Sequence, residues 1–407
     1  QEVEILTLED CLRIGIDNNL SLEGKRKEIQ RSKYGVSENR SKLLPQINAI
    51  AGYSNNFDPP VSVTDGSSYG VPYNITQTLQ HSANAGLEMQ MPLFNQTLYT
   101  SMSIAKVMEE ISRLSYGKAR EDVILQISKM YYLGQVTAEQ IMLIKANITR
   151  LEELRDITQA FFDNGMSMEV DLKRVNINLE NLKVQYDNAQ AMMKQQLNML
   201  KYIMDYPAEK EIALTPVNTD SITTVALTGL SENIYELQLS QSQVQLAERQ
   251  KKIITNGYIP SLSLTGSWRY AAYTDKGYHW FHSGPSNQWF RSYGVGLTLR
   301  IPIFDGLDKT YKIKKAMIDI ENKRLAWEDA RKNLQTQYLN AVNDLMNNQR
   351  NFKKQKDNYL LAEDVYAVTS DRYREGIASM TEVLQDEMQM SEAQNNYISA
   401  HYNYRVT

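Results

Sequence analysis

From Leu79 to Met91 apolar and polar positions alternate along the chain. Leu79, His81, Ala83, Ala85, Leu87, Met89 and Met91 fall on one side, and Gln80, Ser82, Asn84, Gly86, Glu88 and Gln90 on the other. Successive side chains of a strand point to opposite faces, so this stretch predicts a strand with one apolar and one wet face, ended by Pro92. The design recurs at Phe290 to Phe304. There Phe290, Val295, Leu297, Leu299 and Ile301 alternate with Gly294, Gly296, Thr298 and Arg300, with a slip of phase near Tyr293. Two further strands are predicted, one after Pro45 with Ile47, Ala49, Ala51 and Tyr53, and one after Pro260 with Leu262, Leu264, Gly266, Trp268 and Tyr270. Strands of about 10 to 12 residues, apolar on one face only, have the length and pattern of transmembrane barrel strands.

Between the strands the period changes to that of helices. Thr7 and Asp10 form a capping-box signal for a helix that runs to about Leu44. Residues 57–78, rich in Pro, Gly, Asp and Ser, read as a polar loop. Thr97 to Phe162 is one continuous helical pattern stopped at Asp163-Asn164-Gly165, and Met168 to Met204 turns back. Residues 206–230 read as a linker. The plan then repeats: helix Ser231 to Asn256, two strands, helix Leu307 to Tyr373 stopped at Glu375-Gly376, and a last helix from about Met380. Pro45 with Pro260, Pro92 with Pro302 and Gly165 with Gly376 are separated by 215, 210 and 211 residues. The chain thus divides into a first repeat at 1–205 (strands about 45–57 and 79–92), the linker, and a second repeat at 231–407 (strands about 259–271 and 289–302). The longest helix spans about 100 Å at 1.5 Å per residue, beyond any single globular core, so the helices belong to a coiled-coil or tubular assembly.

Composition narrows this picture. The net charge of −4, with no basic block, argues against a nucleic-acid partner. No run approaches 18 apolar residues, which excludes a spanning helix and leaves a barrel as the way across a bilayer. Four strands cannot close a barrel, so several chains must share one, and twelve strands from a homotrimer leave a lumen. Its wet lining would include Asn48, Ser54, Glu88, Gln90, Ser263, Arg269 and Arg300, with the opposite face toward lipid. No nucleotide, nucleophile or metal motif is present, so neither an enzyme nor a cofactor is expected. His279 and His282 sit in an aromatic loop, and Cys11 reads as an inert packed thiol.

Several motifs together carry a resemblance. LTLEDCLRIGIDNN, LLPQINAIAGYS, MPLF before a long helix and FFDNGMSMEVDL come first. YIPSLSLTGSW, IPIFDG and RYREGIASMTEVL follow in the second half. The chain resembles the TolC-type outer membrane efflux protein family over nearly its whole length. The resemblance implies a mainly α fold with a membrane β-barrel part, in which a trimeric 12-stranded barrel continues into a periplasmic α-helical tunnel. It implies an outer-membrane exit duct of a tripartite efflux or type I secretion system. The partners would be a periplasmic adaptor protein and an inner-membrane efflux pump or ABC exporter; the alternative is a soluble periplasmic coiled-coil scaffold. The adaptor-docking tips would be Asn164, Gly165, Met166 and Ser167 in the first repeat and Glu375, Gly376, Ile377 and Ser379 in the second. The family's acidic aperture positions fall on Glu382 and Gln385, so the second acid is missing here. A gate is expected from Asp171 pairing between hairpins with Arg372 or Arg374, and from Glu382 ringing a constriction, with Asp386 one turn further on.

Overall fold

The structure, a computed structural model, describes residues 3–59, 61–77, 79–216, 233–274 and 289–407. The first half of the chain gives β1 (Glu4–Leu6), α1 (Leu8–Asn18), α2 (Leu20–Ser41), β2 (Gln46–Asn55), β3 (Val61–Asp65), β4 (Tyr73–Gln77), β5 (His81–Phe94), α3 (Gln96–Asp163) and α4 (Glu169–Met204). The second half gives β6 (Ile212–Leu214), α5 (Tyr235–Asn256), β7 (Ser261–Thr274), β8 (Trp289–Arg300), α6 (Asp308–Arg374) and α7 (Met380–Val406). The fold is mainly α with a β part. Its residues cluster into two compact units that each draw on both halves of the sequence. Gln1–Glu28, Arg113–Leu239 and Trp327–Thr407 form one, and Ile29–Ser112 with Ser240–Ala326 form the other.

The second of these units holds a four-stranded sheet in the order β2-β5-β7-β8, antiparallel throughout. Ala49, Leu87, Trp268 and Tyr293 lie side by side across it, and Asn48, Glu88, Ser267 and Gly294 form the next row on the opposite face. Period 2 thus carries the apolar pattern over most of the four strands. On the apolar face Ile47, Leu87, Trp268, Tyr293, Val295 and Leu297 are all exposed. Among the described residues, strands β2 and β8 each pair on one side only.

Two details of the strands differ from the sequence reading. β5 does not stop at Pro92 but runs to Phe94, with a register shift between them. Pairing with β2 ends at Gln90, so Pro92 needs a neighbour only on the β7 side, where an irregular register accommodates its missing N–H. β8 pairs without interruption from Trp289 to Arg300, so the slip near Tyr293 is absent. Phe290 therefore shares the polar face with Gly294, and ladder hydrogen bonds rather than hydrophobicity set the phase there.

The helices also differ in places. The first predicted helix is broken at Asn19 and ends at Ser41. Asn19 adopts an extended ψ of 119°, accepts from the Leu22 N–H at 3.1 Å and donates to the Ile203 carbonyl at 2.7 Å. A capping residue in mid-helix thus replaces a turn of ladder bonds. The loop at 57–78 contains the β3–β4 hairpin, and the linker contains β6, parallel to β1. Such three- to five-residue strands carry no periodic signature. The remainder of the linker at 217–230, the first two residues of the helix predicted from Ser231, and His279 with His282 lie outside the described residues.

The helical unit has two apolar clusters. One surrounds Cys11 and Leu22, with Ile127, Tyr131, Leu200 and Met204. Gly15 packs against it, and a β-carbon there would stand 2.2 Å from Ile127 Cδ1 and displace that side chain. Cys11 is fully buried and its thiol is pushed up to about 12 by burial, in keeping with a packing role. The larger cluster joins α3, α4, α6 and α7. Its spine on α6 is Phe352, Tyr359, Tyr366 and Tyr373, a strict seven-residue repeat, all buried. That spacing marks a coiled-coil seam.

Candidate channel wall and tip sites

The polar face of the sheet brings the predicted lining residues together. The register places Asn48, Ser54, Glu88, Gln90, Ser263, Arg269 and Arg300 on one face. Arg269 Nη2 donates to Glu88 Oε1 at 2.6 Å across neighbouring strands. Glycines at 86, 294 and 296 keep the surface around this pair free of side chains. At Gly86 a β-carbon would lie 2.3 Å from the Trp268 carbonyl oxygen, so the close approach of β5 and β7 requires glycine.

Both helical tips have the same hydrogen-bond pattern. At the first, Gly165 has φ +70°, its N–H bonds to the Phe162 carbonyl at 2.9 Å, and the Met166 N–H to the Phe161 carbonyl at 2.8 Å. At the second, Gly376 has φ +74°, bonding to Tyr373 at 2.9 Å while Ile377 reaches Arg372 at 2.8 Å. The left-handed glycine lets each chain reverse while satisfying the last helical carbonyls. Asn164 adds a side-chain bond to the Ala160 carbonyl at 2.7 Å, and Glu375 closes on the Asp371 carbonyl at 3.1 Å. Met166 and Ile377 occupy matching positions and are 65% and 63% exposed, which leaves an apolar side chain at the end of each hairpin.

The charged residues near the tips pair differently from the sequence reading. Asp171 lies 3.5 Å from Arg174 on its own helix, and Arg374 contacts Glu153 of α3 at 3.3 Å and Asp371 at 3.6 Å. Among the described residues of the single chain, Asp171 is not joined to Arg372 or Arg374. The i,i+3 partner is reached without ordering a second hairpin, which makes it the cheaper contact. Glu382 accepts from the Ser379 N–H at 2.9 Å while Ser379 Oγ accepts from the Glu382 N–H at 3.3 Å, a capping box that starts α7. Its carboxylate therefore has a structural partner. Gln385 and Asp386 follow in the next turn, Asp386 half-buried and Gln385 exposed.

Above the tips a partly buried polar network fastens α3, α6 and α7 together. Asn147 donates to Gln394 at 2.6 Å, Arg150 contacts Asn147 and reaches Glu363 at 3.0 Å, and the Tyr359 hydroxyl donates to Glu363 at 3.2 Å. Glu387, on α7 within the same cluster, is raised by burial. Further along, Glu139 receives hydrogen bonds from the Tyr397 hydroxyl and from His401 Nδ1, each at 2.7 Å. Burial opposes ionisation of Glu139, but these hydrogen bonds outweigh it and hold the carboxyl below its ordinary value. Arg405 donates to His401 Nε2, which leaves Nδ1 as the protonated nitrogen facing Glu139. The pairs that join different helices, Asn147 with Gln394, Arg150 with Glu363, and Glu139 with Tyr397 and His401, were not legible in the sequence, because their members lie more than 200 residues apart.

Comparison with known proteins agrees with this architecture. A family model described as outer membrane efflux protein matches residues 14–204 and 230–407. The chain is 21% identical over 385 residues to the outer membrane protein TolC of Vibrio cholerae, covering 91% of this chain and 81% of that one. It is 23% identical over 415 residues to the toluene efflux pump outer membrane protein TtgC of Pseudomonas putida, covering 97% and 78%. The open-state structure of the MtrE outer membrane channel of Neisseria gonorrhoeae superposes with a TM-score of 0.77 at 18% identity, over 98% of this chain and 86% of that one. With a match that spans both halves and a fold shared with solved channels, the chain belongs to the outer membrane efflux protein family.

Proposed function

We propose that three copies of this chain form an outer-membrane exit duct, through which an inner-membrane pump or ABC exporter expels its cargo with the help of a periplasmic adaptor. The observation that carries this reading is the sheet: an exposed apolar face, a polar face, and outer strands β2 and β8 that, among the described residues, pair with a strand on one side only. An open edge in lipid leaves backbone groups without partners, so the edges must meet other strands, and copies of the same chain supply them. The helices offer matching support. Val170, Ile177 and Val184 on α4, and Leu339, Met346 and Leu360 on α6, are exposed apolar residues in heptad register, suited to helix packing between copies. A soluble scaffold would leave the apolar sheet face without a use. Native mass measurement in detergent should give a trimer, and a monomer would overturn the reading.

The adaptor is expected at the two tips. Cysteine introduced for Ser167 or Ser379 should crosslink to it, whereas capture only from a mid-helix site such as Lys129 would place the contact elsewhere. Met166 and Ile377 are the apolar anchors of that contact.

The closed tip is held by ion pairs, of which Arg374 with Glu153 ties the second hairpin to the first. Exposed pairs contribute only about 0–1 kcal/mol each, but three copies acting together bias one state. Arg374→Ala with Glu153→Ala should raise single-channel conductance in planar bilayers. Glu382→Gln preserves the capping box, in which Gln serves as well as Glu, and removes only charge. It should weaken cation preference without altering trimer stability. Unchanged conductance and selectivity in intact trimers would remove these residues from the gate.

A further inference from the structure

We propose that the groove between α5 and α6, next to the sheet, binds the headgroup of an anionic phospholipid, an inference that rests on the sheet being the membrane-embedded part. The groove has a volume of about 960 Å³ and is lined by Lys251, Lys252, Lys314 and Arg324 together with Met317 and Ile318. Two carboxylates share it, Glu248 and Glu321, and Arg324 takes Glu248 at 2.8 Å. Lys251, Lys252 and Lys314 have no carboxylate within ion-pair distance among the described residues. Neighbouring Lys309 and Lys312 differ in being held by Asp305 at 3.0 Å and Asp308 at 2.7 Å. Three ammonium groups without an ion-pair partner outnumber the one remaining carboxylate, Glu321, and beside an apolar strip they fit an amphiphile with an anionic head.

Position selects the lipid. α5 ends at Asn256 just before β7, and α6 begins at Asp308 just after β8. At 1.5 Å per residue the three lysines stand about 6–9 Å along the helices from those ends. Headgroups occupy that depth beside the hydrocarbon layer. The surroundings have the composition of a membrane interface. Tyr258 and Tyr311 lie under the Lys309 and Lys314 ammonium groups at 5.0 and 5.6 Å, and Ile303 and Phe304 are 94% and 81% exposed. Aromatic and basic side chains gather at such boundaries, the one at headgroup level and the other facing anionic lipid.

The test uses the full chain in detergent, titrated with phosphatidylglycerol or phosphatidylcholine of identical acyl chains and read by native mass spectrometry. Each lysine near an anionic surface contributes about fivefold. The wild-type protein should prefer phosphatidylglycerol by about tenfold or more, and Lys251→Gln with Lys252→Gln and Lys314→Gln should reduce the preference to near parity. A variant with Lys332→Gln, Lys353→Gln and Lys354→Gln removes the same charge from exposed helix elsewhere and should retain it. No preference in the wild type, or full preference in the first variant, overturns the proposal. Displacement of the lipid by millimolar glycerol phosphate would make this a site for soluble phosphates and equally overturn it. Flotation with phosphatidylcholine vesicles is run alongside: failure to float refutes membrane residence itself, a separate result from loss of lipid preference.

Discussion

Leu87→Arg should largely prevent stable assembly in the outer membrane, while Gln90→Arg, three residues along the same strand, should assemble like the wild type. Leu87 lies midway along β5, between Ala49 and Trp268 in its row, and is 41% exposed on the apolar face. A guanidinium there faces hydrocarbon, at a cost of about 2–4 kcal/mol per copy near the bilayer midplane. Gln90 lies between Gln46 and Thr265 on the polar face, where water solvates an added charge. The quantity to measure is heat-resistant trimer recovered from outer-membrane fractions. Equal yields from the two variants would mean that the faces of the sheet are assigned the wrong way round or that the sheet does not meet lipid.

The second large effect is expected in the helical unit. Phe352→Ala should cost about 3–5 kcal/mol, the usual penalty for removing a fully packed aromatic ring. Phe352 is 3% exposed, and its ring stands 4.8 Å from that of His401, 5.3 Å from Tyr404 and 5.8 Å from Tyr397. Its loss opens a cavity where α6 meets the end of α7 and loosens the packing around the Glu139–His401 pair. Lys353→Ala, at the neighbouring exposed position, should stay within about 0.5 kcal/mol. Thermal unfolding of the detergent-solubilised protein, followed by helical circular dichroism at one fixed scan rate, separates the two. A midpoint for Phe352→Ala equal to that of Lys353→Ala would show that the seam does not hold the helices together.

Much of this protein can be read from one dimension. The alternation in β5, β7 and most of β8 identified strands with a wet and a greasy face. The glycines at 165 and 376 located both tips, because only a left-handed residue closes a helix in that way. The recurrence of these signals at a near-constant spacing is the ground for expecting a duplicated plan. All of these are local: a periodicity, a cap or a turn depends on residues within a few positions of one another.

Other features depended on distant groups meeting. The β5–β7 pairing joins the two halves into one sheet, and only then do Glu88 and Arg269 come within 2.6 Å. Arg374 meets Glu153 rather than Asp171, and Glu382 is used first as a cap, because the nearest partner in space or along the helix forms the contact at least entropic cost. The break at Asn19 exists because a carbonyl from Ile203, far away in sequence, receives its side chain. The sequence alone determined the alternation of the strand faces and the place of the two tip turns, since chemistry within a turn or a strand decides those. Only the tertiary structure decided which charges pair, because long-range contacts are set by the packing of whole helices.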